Sequence, residues 1–294
     1  MSRLEMPDAP YPDWARFIKA VWMHGMSVKN MDATLAKAHV ADAAESIVEV
    51  FTRRNEARTV RPSSFLACAR QTYFSVTGED SGEMPDNIGS TFAVGHLLHE
   101  MSYAAVKSVL PHGFSAECEK KVDLPDWWPK DKAHFNQKGH VDLFITVTDQ
   151  EAKAAYIGKD APDKMLVDFK TMGGYTYKKH GKTVFGEDPD AFGYLAQLSV
   201  YADTLGVLDN GALLAGINRD SLTKPLFPRL IDPKTLKDEL ARVKLAIEMA
   251  QEGSDPGEEF LIRHGSEAHF QCGRSGRPGY CPFKVVCKER PTRD

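Results

Sequence analysis

The segment Val167–Asp168–Phe169–Lys170–Thr171 decides how the rest of the chain is interpreted. It follows a short apolar run and precedes Gly173–Gly174, which is typical of a buried strand that ends in a loop. The two-residue period of a strand predicts that Asp168 and Lys170 share one face, with Val167 and Phe169 on the other. A lone Asp-x-Lys pair is common by chance, and its simplest interpretation is an ion pair on an exposed strand. If the pair is functional, the side chains of Asp168 and Lys170 point from the end of the strand towards solvent or a metal ion.

A second strand is predicted upstream, at Lys138–Thr148, where β-branched and aromatic residues predominate. Asp142 lies within this apolar run. Burial of an unpaired carboxylate is costly, so we expect Asp142 to have a cationic partner. Two carboxylates on adjacent strands, with a lysine nearby, suit a hard divalent ion such as Mg²⁺, which prefers one or two carboxylates together with water and phosphate oxygens.

The composition of the 294-residue chain is ordinary for a soluble globular protein, with 42% hydrophobic and 27% charged residues. No segment approaches the apolar length of a membrane span, and the acidic, proline-rich stretch Met1–Asp13 does not fit a secretory signal. We therefore expect a cytoplasmic protein with no membrane association. A net charge of −4 and a pI near 6.2 argue against a protein coated with nucleic acid, so DNA binding would need a local basic groove.

Hydrophobic periodicity predicts helices and strands along most of the chain. Residues 14–58 are predicted to be helical, as a small N-terminal appendage whose aromatic stripe is a packing surface. Further helices are predicted to begin near Ser63 and to cover Thr91–Leu110, Asp190–Thr204 and Pro233–Glu252. The predicted strands are Ala116–Val122, Lys138–Thr148, Met165–Lys170, Ala212–Asn218 and Leu226–Ile231. We divide the chain into the appendage (1–60), a core (61–255) and a cysteine-rich, basic C-terminal lobe (256–294).

Two predicted helices and one loop carry further candidate residues. His99 lies on a mainly apolar helix, where a histidine is more often a satisfied core or surface residue than a ligand. Gln197 and Tyr201 are four residues apart on a helix and therefore share a face. Trp127 and Trp128 lie in a loop, where they either pack on the sheet or stack on bases; packing is the favoured interpretation.

The five cysteines are Cys68, Cys118, Cys272, Cys281 and Cys287, and the last three lie close together in the basic tail. In a cytosolic chain, clustered cysteines indicate metal or redox chemistry before disulfides. Three thiolates are one short of a tetrahedral sulfur site. The fourth ligand is either Cys68 or, for zinc, His264 or His269.

In chain order, these residues resemble the motifs of the RecB-like branch of the PD-(D/E)XK nuclease superfamily. The likeness is closer to its iron–sulfur members: the CRISPR-associated RecB-like exonucleases, the nuclease domain of AddB and related phage nucleases. It covers about Ser63 to Cys287. Each motif is weak alone, and it is their order that is specific: Cys68, Gly95-x3-His99, Asp142, Asp168-x-Lys170, Gln197-x3-Tyr201 and the three C-terminal cysteines.

The resemblance implies an α/β fold in which a central mixed β-sheet, like the core of restriction endonucleases, is flanked by helices. The ligands it implies for one or two Mg²⁺ or Mn²⁺ ions are His99, Asp142, Asp168 and the backbone carbonyl of Phe169. The catalytic residues it implies are Asp142, Asp168, Lys170, Gln197 and Tyr201.

The resemblance also implies a 4Fe–4S cluster that closes the C-terminal lobe onto the core. Its ligands would be Cys68, Cys272, Cys281 and Cys287, while Cys118 stays free; zinc is the alternative metal. The chain departs from the family in two places. Cys272 and Cys281 are separated by eight residues, more than is usual, and the acid of the Asp-x-Lys pair is Asp168 where many relatives have glutamate.

The expected function is that of a metal-dependent deoxyribonuclease, and specifically an exonuclease that acts on DNA ends or single strands with little sequence specificity. The processes it would serve are recombination, repair, phage replication or CRISPR spacer acquisition, with proteins of those processes as partners. Three alternatives stay open. They are a nuclease-fold structural subunit of a recombination complex, a zinc-stabilised DNA-binding protein and a site-specific endonuclease.

Overall fold

The structure is a computed structural model, and it describes residues 13–27, 29–52, 61–62, 69–79, 88–130, 135–174, 177–178, 193–221 and 226–255. Cys68 and the C-terminal lobe, with Cys272, Cys281 and Cys287, lie outside the described residues. The predictions about a cluster at these cysteines therefore stay predictions. Cys118 is half-buried within a strand, and burial raises the pKa of its thiol to about 12.

Within the described residues, five strands form one mixed sheet, in the order β1-β2-β3-β4-β5. They are β1 (Phe114–Asp123), β2 (Lys138–Val147), β3 (Lys164–Met172), β4 (Ala212–Asn218) and β5 (Leu226–Ile231). The β3–β4 pair is parallel and the other three pairs are antiparallel. All five strands lie close to their predicted bounds. The central strands β2, β3 and β4 are mainly apolar runs that end at turn residues, whereas β1 mixes charged and apolar residues.

The helices of the described residues are α1 (Asp13–Gly25), α2 (Ala33–Thr52), α3 (Ala69–Thr77), α4 (Ile88–Val109), α5 (Gln150–Tyr156), α6 (Tyr194–Thr204) and α7 (Pro233–Gln251). The predicted α/β class, with a central mixed sheet flanked by helices, is confirmed. The short helix α5 was not predicted; the side chain of Asp149 caps it by accepting hydrogen bonds from two backbone amides. None of the described helices has the length and apolar content needed to span a bilayer.

Helices α1 and α4 pack on one face of the sheet. The apolar stripe of α1 is almost wholly buried, which confirms the interpretation as a packing surface: Trp14, Phe17, Ile18, Val21 and Trp22 are at most 3% exposed. The Phe17 ring lies 4.6 Å from that of Phe114 in β1, measured between centroids. Helix α1 thus shares the core of the sheet, whereas the sequence analysis assigned it to an appendage; the domain boundaries themselves stay predictions.

Helices α6 and α7 pack on the opposite face, where Phe144 and Leu166 of the sheet meet Leu198 and Leu240 of the helices. Trp128 is buried in the same core and donates a hydrogen bond to the carbonyl oxygen of Asn136 at 2.9 Å. The indole of Trp127 donates to Asp203 Oδ2 at 2.7 Å. Both tryptophans pack against the protein, in agreement with the favoured interpretation.

Candidate active site

The polar residues of the sheet meet where the antiparallel ladder between β2 and β3 ends. Its last pair is Leu143 with Val167, and by the same register Asp142 lies opposite Asp168, one position further on. There the Asp142 side chain accepts a hydrogen bond from the backbone amide of Phe169, with Oδ2 2.7 Å from the nitrogen. The two carboxylates predicted to lie on adjacent strands are therefore direct neighbours across the sheet.

A third acid extends this row into β1. The pairs on either side of Glu119 in the β1–β2 register place it opposite Asp142. Its φ of 47° is the one positive φ at a non-glycine position in the described part of the chain. Such a backbone conformation costs on the order of 1–3 kcal/mol and is found preferentially at functional sites. Glu119, Asp142 and Asp168 form what we call the acid row.

The middle of the acid row is supported by Tyr103 of α4. Its hydroxyl donates a hydrogen bond to Glu119 Oε1 at 2.7 Å and also lies within hydrogen-bonding reach of Asp142. Neither residue was predicted from the sequence. Tyr103 follows His99 by four positions on α4, and this spacing places the two side chains on the same face of the helix, which could have identified Tyr103 from the sequence. Glu119 lies in a strand of alternating charged residues, so only the strand register distinguishes it.

The predicted pair Asp168 and Lys170 forms a buried ion pair. The Lys170 ammonium donates a hydrogen bond to Asp168 Oδ1 at 3.0 Å and a second to Gln197 Oε1 of α6 at 3.0 Å. The Asp168 side chain is only 2% exposed and that of Lys170 15%. The structure contains the ion pair that the simplest interpretation predicts. The strand is not exposed, however: Asp168 faces the interior, because α6 covers this face of β3.

The second oxygen of Asp168 retains acceptor capacity. Oδ2 lies 2.8 Å from Nζ of Lys170, but it is not aligned for a hydrogen bond and is shielded from solvent. Buried polar atoms without a hydrogen bond are rare in native proteins and call for an explanation such as an unseen water or ion. This oxygen, beside a second carboxylate, fits a further cation.

His99 reaches the acid row from α4. Its Nδ1 lies 3.8 Å from Asp142 Oδ2. Burial and, to a lesser extent, the positive charge of Lys170 lower the pKa of His99 to about 3. The imidazole is thus neutral near pH 7, which is the form that binds metal ions. The expected cationic partner of Asp142 is therefore not His99; its direct partner is the Phe169 amide, and Lys170 acts on it through space.

All three acids hold their protons more tightly than in water. Burial is the main cause, and it raises the pKa of Asp142, that of Asp168 to about 6 and that of Glu119 to about 7. The negative charge of Asp142 adds to the shift at both of its neighbours, whereas Lys170 opposes it at Asp142 and Asp168. A cation bound to the row would relieve this repulsion.

Helix α6 presents Gln197 and Tyr201 to the site on the shared face that their spacing predicts. Gln197 contacts Lys170 directly, and Tyr201 is 4% exposed, with hydrogen bonds to the His140 backbone and the Gln197 side chain. The Tyr201 ring lies against Gly139, where a Cβ atom would come within 2.5 Å of Cε1. Glycine at position 139 therefore lets α6 approach β2 closely.

The predicted metal ligands are near one another, but they are not closely gathered. Among the described residues, the group of three side chains whose ligand atoms all lie within 4.8 Å of one another is elsewhere, at His39, Asp42 and Glu100. The contact made by the Phe169 backbone uses its amide, while the predicted ligand is its carbonyl. Lys170 and this amide already hold the two aspartates, so a cation would have to compete with them.

Comparisons with known proteins add little to this geometry. No protein-family model matches the chain, and no curated protein matches it. A solved structure titled "Crystal structure of SSO0001" is similar at 15% sequence identity and a TM-score of 0.42, over 86% of this chain and 98% of that one. A likeness this weak carries no argument about function.

Proposed function

We propose that this protein is a metal-dependent deoxyribonuclease of the PD-(D/E)XK type, acting as an exonuclease with little sequence specificity. The observation that carries the proposal is the meeting of Asp142, Asp168 and Lys170 where the β2–β3 ladder ends. Helices on both faces of the sheet contribute side chains to this position: α4 contributes His99 and α6 contributes Gln197. This is the residue set, in the same order, on which the resemblance rests.

The donor types suit a divalent ion, which would have to displace Lys170 and the Phe169 amide from the two aspartates. His99, Asp142 and Asp168, with the Phe169 carbonyl, would hold Mg²⁺ or Mn²⁺, the choice that carboxylate and carbonyl oxygens favour. The ion would supply Lewis acidity and lower the pKa of a bound water. The neutral imidazole of His99 suits the role of a ligand, as does the buried Oδ2 of Asp168, which has no aligned hydrogen-bond donor.

The chain's own groups would assist phosphodiester hydrolysis. In that reaction the water oxygen forms a bond to phosphorus, the bond to the leaving sugar oxygen breaks, and a proton from the water ends on that oxygen. The Lys170 ammonium would stabilise charge that develops on the phosphate, and Gln197 would hold it in place through their 3.0 Å hydrogen bond. Because none of these groups is assigned a contact with a base edge, we expect any DNA end or single strand to be a substrate.

We further propose that Cys68, Cys272, Cys281 and Cys287 hold a 4Fe–4S cluster, with zinc as the alternative. The support is the resemblance alone, because these residues lie outside the described part of the chain. The purified protein separates the alternatives directly. A brown protein with about four irons per chain supports the cluster, and a colourless protein with zinc overturns it.

The nuclease proposal is tested with end-labelled linear DNA and a closed circle, each with Mg²⁺, Mn²⁺ or EDTA. Asp168→Asn and Lys170→Met should slow cleavage of the linear DNA by about 100-fold to 10,000-fold, the usual contribution of a positioned catalytic group. Asp160→Asn and Lys159→Met are matched controls, since both residues are exposed in the loop before β3. They should cleave at the wild-type rate.

A second candidate function has one observation in its favour. The contacts among Asp168, Lys170 and Gln197 form a buried network of the kind that also stabilises structural cores. A nuclease-fold subunit without activity would keep such a network. Absence of cleavage of either DNA under all three conditions, with intact folding, would favour this subunit and overturn the nuclease. Cleavage of the closed circle as fast as the linear DNA would replace the exonuclease with an endonuclease.

A further inference from the structure

A second cluster of metal-ligating side chains lies between α2 and α4, which we call the α2–α4 cluster. It consists of His39 and Asp42 of α2 and Glu100 of α4, and one ligand atom from each lies within 4.8 Å of the other two. His39 and Asp42 are three residues apart and share a face of the helix. This set is distinct from the acid row, because its donors lie on α2 and α4 and none of them lies in the sheet.

Two of the three side chains are held firmly. His39 Nδ1 lies 2.6 Å from Glu100 Oε2, and the side chains are 11% and 13% exposed. The His39 ring also packs against Tyr103, with 6.1 Å between ring centroids. An imidazole that is nine-tenths buried and aimed at a carboxylate is a preorganised donor.

The third side chain is what points to a ligand. Asp42 is exposed and makes no hydrogen bond or ion pair within the described residues, yet its carboxylate converges with that of Glu100 on the one imidazole. Two carboxylates this close repel each other unless a cation lies between them. The contact between His39 and Glu100 is complete without Asp42, so it does not explain why a second carboxylate lies beside it.

We propose that the α2–α4 cluster binds a divalent transition-metal ion, with zinc as the expected one. Imidazole nitrogens and carboxylate oxygens are both zinc ligands, and a site with three protein ligands leaves the fourth position to water. The exposed side of Asp42 leaves room for that water. On binding, the ion takes the place of the proton between His39 Nδ1 and Glu100, and that proton moves to the other ring nitrogen or to solvent. The ion ties α2 to α4, the helix that carries His99.

The experiment uses the full chain, stripped with a chelator and then titrated with Zn²⁺, and the two readouts are bound zinc per chain and melting temperature. Asp42→Asn removes the third ligand from an exposed position, so the fold is kept. Loss of even a partner outside the coordination shell costs about 10–100-fold in metal affinity, and we expect at least this loss. Asp42→His supplies another zinc ligand at the same position and should retain binding. Glu45→Gln alters an exposed acid one turn away on α2 and is the control.

The proposal predicts that wild type, Asp42→His and Glu45→Gln bind one more zinc ion per chain than Asp42→Asn. Binding of this ion should raise their melting temperatures. Zinc taken up by the cysteines cancels in this difference. Equal zinc content and an equal temperature shift in Asp42→Asn would overturn the proposal, as would a loss of zinc in Glu45→Gln. Neither readout involves DNA cleavage, so the result is independent of the proposed nuclease.

Discussion

Both faces of β3 are largely buried, but different forces hold them. On one face, Val167 and Phe169 are 0% exposed and lie among apolar side chains of α1, α4 and the sheet. On the other, Asp168 is 1% exposed and depends on Lys170 and, through it, on Gln197. Burial stabilises the apolar face by removing surface from water, whereas on the polar face it costs free energy that hydrogen bonds only partly offset.

The difference shows that burial does not separate a core from a site. Apolar packing leaves no group in an unfavourable state, but the polar face keeps a carboxylate whose pKa is raised to about 6 and an oxygen without an aligned donor. Residues whose pKa values are shifted by burial and by neighbouring charge are candidates for function on physical grounds. Three predictions test this contrast.

The largest effect is expected at Phe169 on the apolar face. Its ring lies 6.2 Å from that of His99 and 6.0 Å from that of Tyr103, centroid to centroid. Phe169→Ala leaves a cavity, and we expect the free energy of unfolding to fall by about 3–5 kcal/mol in urea denaturation. Lys170→Met, the next residue on the other face, should cost less. A smaller loss for Phe169→Ala than for Lys170→Met would reverse the comparison.

A smaller loss of stability is expected at Asp142, which supports the backbone of β3. Asp142→Ala removes the acceptor of the Phe169 amide and leaves a buried donor unsatisfied, at a cost of about 1–3 kcal/mol. Asp142→Asn retains a side-chain oxygen and should keep most of the stability while losing the charge. Urea denaturation of the two variants side by side measures the difference. Equal stability of the two would mean that the amide finds another acceptor.

The third effect is a change in pH dependence. The pKa of Asp168 is about 6 in the folded protein against 3.8 for the free side chain, so the folded state binds the proton more tightly. The contribution of Asp168 to stability is therefore fully present below pH 3.8 and is lost as pH rises towards 6. Asp168→Asn should make this downward slope in urea midpoints shallower but not abolish it, because the raised pKa values of Asp142 and Glu119 also contribute to it. Asp160→Asn should keep the wild-type slope, and a wild-type slope in Asp168→Asn would show that Asp168 does not contribute to it.

Local pattern alone was sufficient to predict much of this molecule. The five strands and the longer helices follow from hydrophobic periodicity. The shared faces of Asp168 with Lys170, and of Gln197 with Tyr201, follow from the two-residue and 3.6-residue repeats. These features depend on neighbours in the chain, so the sequence by itself determined them. It also determined that Asp142 and Asp168 would lie on strands near each other in the chain.

Tertiary structure decided what those faces meet. Strand register, which side chains and packing set over long distances, places Glu119, Asp142 and Asp168 in one row and brings Tyr103 beneath it. Packing of α6 turned an ion pair expected on an exposed strand into a buried one. The α2–α4 cluster joins residues 61 positions apart, His39 and Glu100. No local pattern encodes such contacts, because they form only when separate elements bury their apolar surfaces against each other.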